Sequence, residues 1–258
     1  MTFVITTYVP EGIVLASDSR QFISATGIGP GGKKFKVETI NSDNVFKTTL
    51  LSRTGDYIKP FFEVGVNSFG QDLLNKIPVA SYLRRFSEEE LTDEDDVATI
   101  PRKMVDYFRR DFPSADTGFQ VAGYRKEEKV SIPHIYSCHV KNDSAERINS
   151  NKNGILQYGT SWSGQGDVLA SILNDSLIMG PNNKPLPVPK PRIFWDAMAL
   201  QDSIDFSIYA VRTTIDTMKF QARQKNVGGP VDVLLITPDG AKWIQRKIMS
   251  GEKTDLIR

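Results

Sequence analysis

Thr2–Arg20 reads TFVITTYVPEGIVLASDSR, and it decides how the chain begins to fold. Phe3–Val9 is β-branched and aromatic, the composition of a strand. Pro10-Glu11-Gly12 is a turn signal. Ile13–Ala16 is a short apolar run, expected as a buried strand that delivers Ser17-Asp18-Ser19-Arg20. The segment predicts an antiparallel hairpin, and pairing through the 10–12 turn brings Asp18 back alongside Thr2.

Working outward, residues 24–34 (SATGIGPGGKK) are glycine-rich and read as a loop. Val45–Leu51 and Phe61–Val66 are strand candidates separated by the turn-like Arg53-Thr54-Gly55-Asp56. Gly70–Phe86 reads as a helix broken or kinked at Pro78. The acidic run 87–96 (SEEELTDEDD) reads as the solvated start of a further helix, reaching about Arg110 and interrupted by Pro101. Strands are expected at 119–124, 132–140 and 155–158. Val168, Leu169, Ile172 and Leu173 suggest a helix after Gly164. Ile204, Ile208, Val211, Ile215 and Met218 form one apolar stripe within a helix at about 193–221. The proline-rich stretch 181–192 (PNNKPLPVPKPR) reads as a surface connection. Val231–Ile236, the turn Pro238-Asp239-Gly240 and Ala241–Ile248 close the chain as a hairpin. Helices come in blocks rather than alternating singly with strands. That order predicts an α+β fold, a four-layer αββα sandwich with two antiparallel sheets between helices. The 258 residues are expected to form a single domain spanning 1–258.

Composition narrows the function. Lys and Arg total 32 against 31 acidic residues, so no nucleic-acid or membrane-surface partner is expected. Cys138 is the one cysteine, so no internal disulfide forms and a cytoplasmic location is expected. No run approaches a membrane span, and the start lacks the basic region and cleavage site of a secretory signal. The two histidines, His134 and His139, fall on opposite faces of one strand. That spacing argues against a zinc site, and a histidine-assisted Ser or Cys enzyme would need one of them beside its nucleophile. Gly29-Pro30-Gly31-Gly32-Lys33-Lys34 lacks the GxxxxGK[ST] spacing of a phosphate loop. No metal or cofactor is expected.

A hydrolase without a catalytic histidine can use an N-terminal nucleophile. An α-amino group titrates near pH ~8 and takes the proton from its own residue's hydroxyl. Such a site needs a Thr, Ser or Cys as first residue, a lysine to hold amine and hydroxyl reactive, and a carboxylate to position the lysine. Thr2 follows Met1, whose removal exposes it, and Asp18 supplies the carboxylate. If Met1 persists, the amine is acylated and the mechanism is blocked.

At these residues the chain resembles the proteasome β-subunits, members of the N-terminal-nucleophile (Ntn) hydrolases. Thr2, Gly12, Asp18 and Arg20 match the family's opening without a gap. Residues 228–245 (GGPVDVLLITPDGAKWIQ) resemble its late G-G-x-x-D-V strand and hairpin, and Tyr158–Ala170 (YGTSWSGQGDVLA) its glycine-serine turn before the third helix. The likeness is greatest to the small bacterial proteasome-like proteins. It implies a threonine-type hydrolase of peptides or small amides that assembles into a homo-oligomeric ring. It implies a lysine just before the strand after the first hairpin: Lys47 heads such a strand, while Lys33 and Lys34 lie at about the family's spacing from Asp18. Ser163 matches a supporting serine, and a backbone N–H near 47–65 or 163 is expected to bind the oxyanion. One departure stands out. The family carries an Asp and a Ser just before the late glycine pair, where this chain has Gln224 and Val227. Two further readings follow, a non-catalytic ring subunit and an Ntn acylase of small amides.

Overall fold

A computed structural model describes residues 2–54 and 60–249. The opening hairpin forms as the sequence dictates, with β1 at Phe3–Val9 and β2 at Gly12–Ser17, both wholly buried. Residues 24–34, expected as a loop, lie mostly in a second hairpin of β3 (Gln21–Ile28) and β4 (Lys34–Ser42). Phe22, Ile23, Phe35, Val37 and Ile40 supply strand-forming side chains on either side, while Gly29, Gly31 and Gly32 fall in the turn and Gly27 lies within β3. Next come β5 (Thr48–Thr54) and β6 (Pro60–Gly70). The expected turn at 53–56 falls partly on Gly55 and Asp56, outside the described residues.

The helix expected from Gly70 begins only at Val79. Two short paired segments, β7 (Leu73–Leu74) and β8 (Ile77–Pro78), precede it, and α1 spans Val79–Glu89. Pro78 stands at the N-cap, where it lacks no helical hydrogen bond, so it starts the helix rather than kinking it. The acidic run is not a helix start. It ends α1 and continues into turns pinned by Asp95 and Asp96, whose carboxylates accept from Thr92, Ala98 and Thr99. Pro101 lies in the first turn of α2 (Ile100–Asp111) and interrupts nothing.

Three strands follow: β9 (Thr117–Glu127), β10 (Val130–His139) and β11 (Ser144–Arg147). The strand expected at 155–158 is displaced to β12, Gly159–Gly164. It is followed by α3 (Asp167–Leu173). The proline-rich connection is partly an exposed hairpin of β13 (Ser176–Met179) and β14 (Pro185–Val188). The long helix α4 is Leu200–Phe220; it holds the whole apolar stripe and starts later than the expected 193. The closing hairpin is β15 (Asp232–Thr237) and β16 (Gly240–Gln245).

The fold is mixed α/β with several antiparallel sheets. One five-stranded sheet runs β12-β1-β2-β15-β16 and another β11-β10-β9-β6-β5. In the first sheet alternation sends Phe3, Ile5, Val14 and Ala16 toward α3 and α4, where they bury Leu169, Val211 and Met218. The other face carries Tyr8, Ile13, Leu15 and Leu234, which meet Ala122 and Ile135 of the second sheet. The second sheet's far face packs on Phe86, Met104 and Phe108 of α1 and α2. Among the described residues no helix is long and apolar enough to cross a membrane.

Cys138 sits in that last cluster, where burial pushes its thiol up to about 12. It is therefore expected to ignore a chromogenic disulfide reagent at pH 8 until the protein unfolds. Rapid labelling of the native protein would contradict this placement.

Candidate active site at the head of the first strand

The site is organised around Asp18, just past the end of β2 and fully buried at 0% exposure. Its Oδ1 accepts the Phe3 N–H at 2.9 Å and Lys47 Nζ at 2.8 Å. Its Oδ2 accepts the N–H groups of Arg20 (3.1 Å) and Gly228 (3.0 Å). A buried carboxylate needs such compensation, and here three backbone donors and one ammonium supply it. Lys47, 2% exposed, also donates to the Arg20 carbonyl at 2.6 Å. It is held at the entry to β5 because Ser68 N–H bonds the Lys47 carbonyl at 2.8 Å. Lys33 and Lys34, the other sequence candidates, are exposed in and beside the β3–β4 turn.

Thr2 is 1% exposed. Its carbonyl accepts the Gln165 N–H at 2.7 Å. Gly164 permits that closeness: it adopts φ +89°, and a Cβ there would stand 1.8 Å from the Thr2 oxygen. Thr2 Oγ1 is buried without a hydrogen-bond partner. Leaving a hydroxyl so costs about 1–3 kcal/mol, and a buried polar atom of this kind calls for an explanation.

The late glycine motif closes over Asp18. Gly228 accepts Ser19 N–H at 2.9 Å while giving its own N–H to Asp18. Gly229 has φ +77°, and a Cβ on it would meet the Asp43 carbonyl at 2.4 Å. Arg20 grips Asp43 in a two-pronged pair (2.6 and 2.8 Å) and reaches the Lys225 carbonyl at 2.9 Å. That guanidinium holds Asp43 below the usual carboxylate range.

Several groups escaped the sequence reading. Asp232 pairs across the sheet with Ser17. Its carboxylate binds Lys247 Nζ, which also donates to Ser19 Oγ at 2.8 Å and lies 4.3 Å from the Phe46 ring centre. Burial pushes Lys247 below the usual lysine range. Burial pushes Asp72 up, and the Lys47 ammonium pulls it back. Asp232 stood in the quoted GGPVDV, but a lysine after an outer strand gives no signal of turning inward.

A buried polar chain also crosses between the sheets. Thr48 Oγ1 lies 2.7 Å from both Ser17 Oγ and Asn67 Oδ1. The amide oxygen only accepts, so Thr48 donates to Asn67 and Ser17 donates to Thr48. Asn67 Nδ2 donates to the Ile5 carbonyl (3.0 Å) and Thr6 Oγ1 (3.3 Å). Thr6 donates to Gln120 Oε1 at 2.7 Å, and Gln120 Nε2 reaches Ser163 Oγ at 3.2 Å. Ser163 thus lies in β12 opposite Val4 and bonds Gln120, while its hydroxyl makes no bond to Thr2. Replacing Asn67 by Ala strands several buried groups and is expected to cost about 2–4 kcal/mol in chemical denaturation. A loss under about 0.5 kcal/mol would show that the chain bears no load.

Two of the N–H groups near residue 163 where the oxyanion is expected to bind are engaged. Gln165 N–H serves the Thr2 carbonyl and Gly166 N–H serves the Gly164 carbonyl at 3.0 Å. Residues 47–65 belong to the β5–β6 hairpin, whose loop lies outside the described residues.

No family model matches the sequence, and no curated protein matches it. Among solved structures the chain is similar to the Gly-1 mutant of Anbu from Hyphomicrobium sp. strain MC1, at 15% identity and a TM-score of 0.61, over 96% of this chain and 86% of that one. At that identity the likeness is one of fold, to a bacterial proteasome-like protein related to the Ntn hydrolases.

Proposed function

We propose that the protein is a threonine-type peptidase or amidohydrolase, a single four-layer αββα domain whose nucleophile is Thr2 once Met1 is removed. One observation carries the reading: the buried Asp18–Lys47 pair sits against the peptide N–H that follows Thr2, whose hydroxyl has no partner. Met1 itself lies outside the described residues.

The chemistry is acyl transfer. The freed Thr2 amine takes the Oγ1 proton as Oγ1 attacks an amide carbonyl. The C–N bond breaks, the leaving nitrogen takes that proton, and an ester remains on Thr2. Water then attacks the ester with the amine again as base, releasing a carboxylate and restoring the hydroxyl. Lys47 disfavours protonation of the amine by its charge, and Asp18 fixes Lys47. Ser163, the counterpart of the related family's supporting serine, is assigned a helper role; its hydroxyl accepts from Gln120 rather than touching Thr2. The substrate is a peptide or a small amide, and no cofactor is needed. The resemblance to proteasome subunits supports assembly into a homo-oligomeric ring in the cytoplasm, without nucleic-acid or membrane partners.

A second reading, a non-catalytic ring subunit, is favoured by Gln224 and Val227 where the related family carries Asp and Ser. Intact-mass analysis with an inhibitor directed at N-terminal threonine separates the two. The hydrolase shows a chain starting at Thr2 and a covalent adduct that is absent in Thr2→Ala. A chain retaining Met1 and forming no adduct would leave the scaffold reading.

A further inference from the structure

β5 ends the order of its sheet, so among the described residues no strand pairs with its other side. Its register fixes which groups face outward. Ser68 N–H bonds the Lys47 carbonyl, and Thr48 stands opposite Asn67. In an antiparallel ladder hydrogen-bonded pairs alternate, so Lys47, Thr49 and Leu51 turn their N–H and C=O toward β6. Leu50 and Ser52 turn theirs away. That outward edge lines a groove of about 390 Å³, bounded by Arg84 and Glu88 of α1 and by Trp243 and Arg246 near the chain's end.

The groove's charge is unbalanced. Among the described residues neither Arg84 nor Arg246 makes an ion pair or hydrogen bond, and Glu88 pairs with neither. The Arg246 guanidinium is stacked on two rings, 4.5 Å from the Trp243 centre and 5.4 Å from that of Phe46. Stacking fixes the plane of the guanidinium and leaves its N–H donors for a carboxylate. Two guanidiniums over one acid, beside open strand hydrogen bonds, describe a site for an extended chain that carries negative charge.

We infer that this groove takes an acidic, extended peptide segment as an added strand on β5, with its carboxylates on Arg84 and Arg246. A second copy fits worse. Symmetric β5–β5 pairing would bring the same arginines of two chains together, like charge against like. Neither arginine belongs to the Thr2 site, so this interaction stands or falls independently of hydrolysis.

The probe is a fluorescein-labelled hexapeptide of alternating Glu and Val, titrated against the full chain by anisotropy. Controls are the Lys–Val analogue and a Glu–Val peptide N-methylated at alternate amides, which cannot complete a ladder. The acidic peptide is expected to bind and to weaken with salt. R84Q and R246Q should each lose about tenfold; thermal unfolding should be unchanged in R84Q and lowered only slightly in R246Q, which gives up the stacking on Trp243 and Phe46. N-methylation should abolish binding, and Trp243 fluorescence should report occupancy. Equal binding of the Lys–Val peptide, indifference to N-methylation or to both arginine variants, or no binding by the wild type would overturn the proposal. So would self-association in sedimentation that R246Q abolishes, which would make the groove a self-interface.

Discussion

Replacing Lys47 by Met is expected to slow acylation of Thr2 by about a hundredfold to ten-thousandfold and to cost about 3–5 kcal/mol of stability. Both effects have one origin. Lys47 is the ammonium on Asp18 Oδ1, and both side chains are out of water. Without it the carboxylate keeps three backbone donors but loses its counter-charge. The pH dependence should move as well. The neutral amine is the base, so the rate rises as pH passes the amine's pKa, near ~8 for a free terminus. A neighbouring ammonium favours the neutral amine and lowers that pKa. Removing Lys47 therefore shifts the rise to higher pH. Stopped-flow acylation across pH 5–10 reads both changes. A variant that is destabilised yet keeps the wild-type rate and profile would make the pair structural only.

Thr2→Val should separate stability from chemistry in the opposite sense. Valine has the shape of threonine without the hydroxyl, and Thr2 Oγ1 is buried with nothing to bond. The substitution removes a desolvated polar atom and is expected to stabilise the protein by about 1–3 kcal/mol. Acylation should vanish, because no nucleophile remains. A site that gains stability when its reactive atom is deleted is one where function is maintained against stability. Chemical denaturation beside an activity assay tests this, and a destabilised Thr2→Val would show that the hydroxyl has a structural role.

The opening hairpin was legible because local chemistry and global fold agree there. A β-branched run, a Pro-Glu-Gly turn and an apolar run leave one register, and that register sets Asp18 beside the chain's start. Lys47 was one of three lysines the sequence left open, and it is the one that the entry to β5 sets beside Asp18. The β3–β4 hairpin was hidden by a cluster of glycines, three in its turn and Gly27 in β3, while Phe22, Ile23, Phe35 and Val37 beside them carried the strand signal. Pro78 and Pro101 were misjudged as breakers because the sequence does not show that they stand at helix starts. Lys247 and Asn67 were out of reach. A single polar residue in a strand looks the same whether it faces water or a buried partner, and only the packing of the two sheets decides which.

The most direct measurement follows a peptide anilide in a single turnover on protein processed to Thr2, with rapid quenching and peptide mapping of the trapped acyl group. The account predicts one added acyl mass on the peptide that begins at Thr2, appearing as the aniline is released and absent in Thr2→Val. Aniline release with no acyl group on that peptide, or an acyl group on another residue, would contradict it.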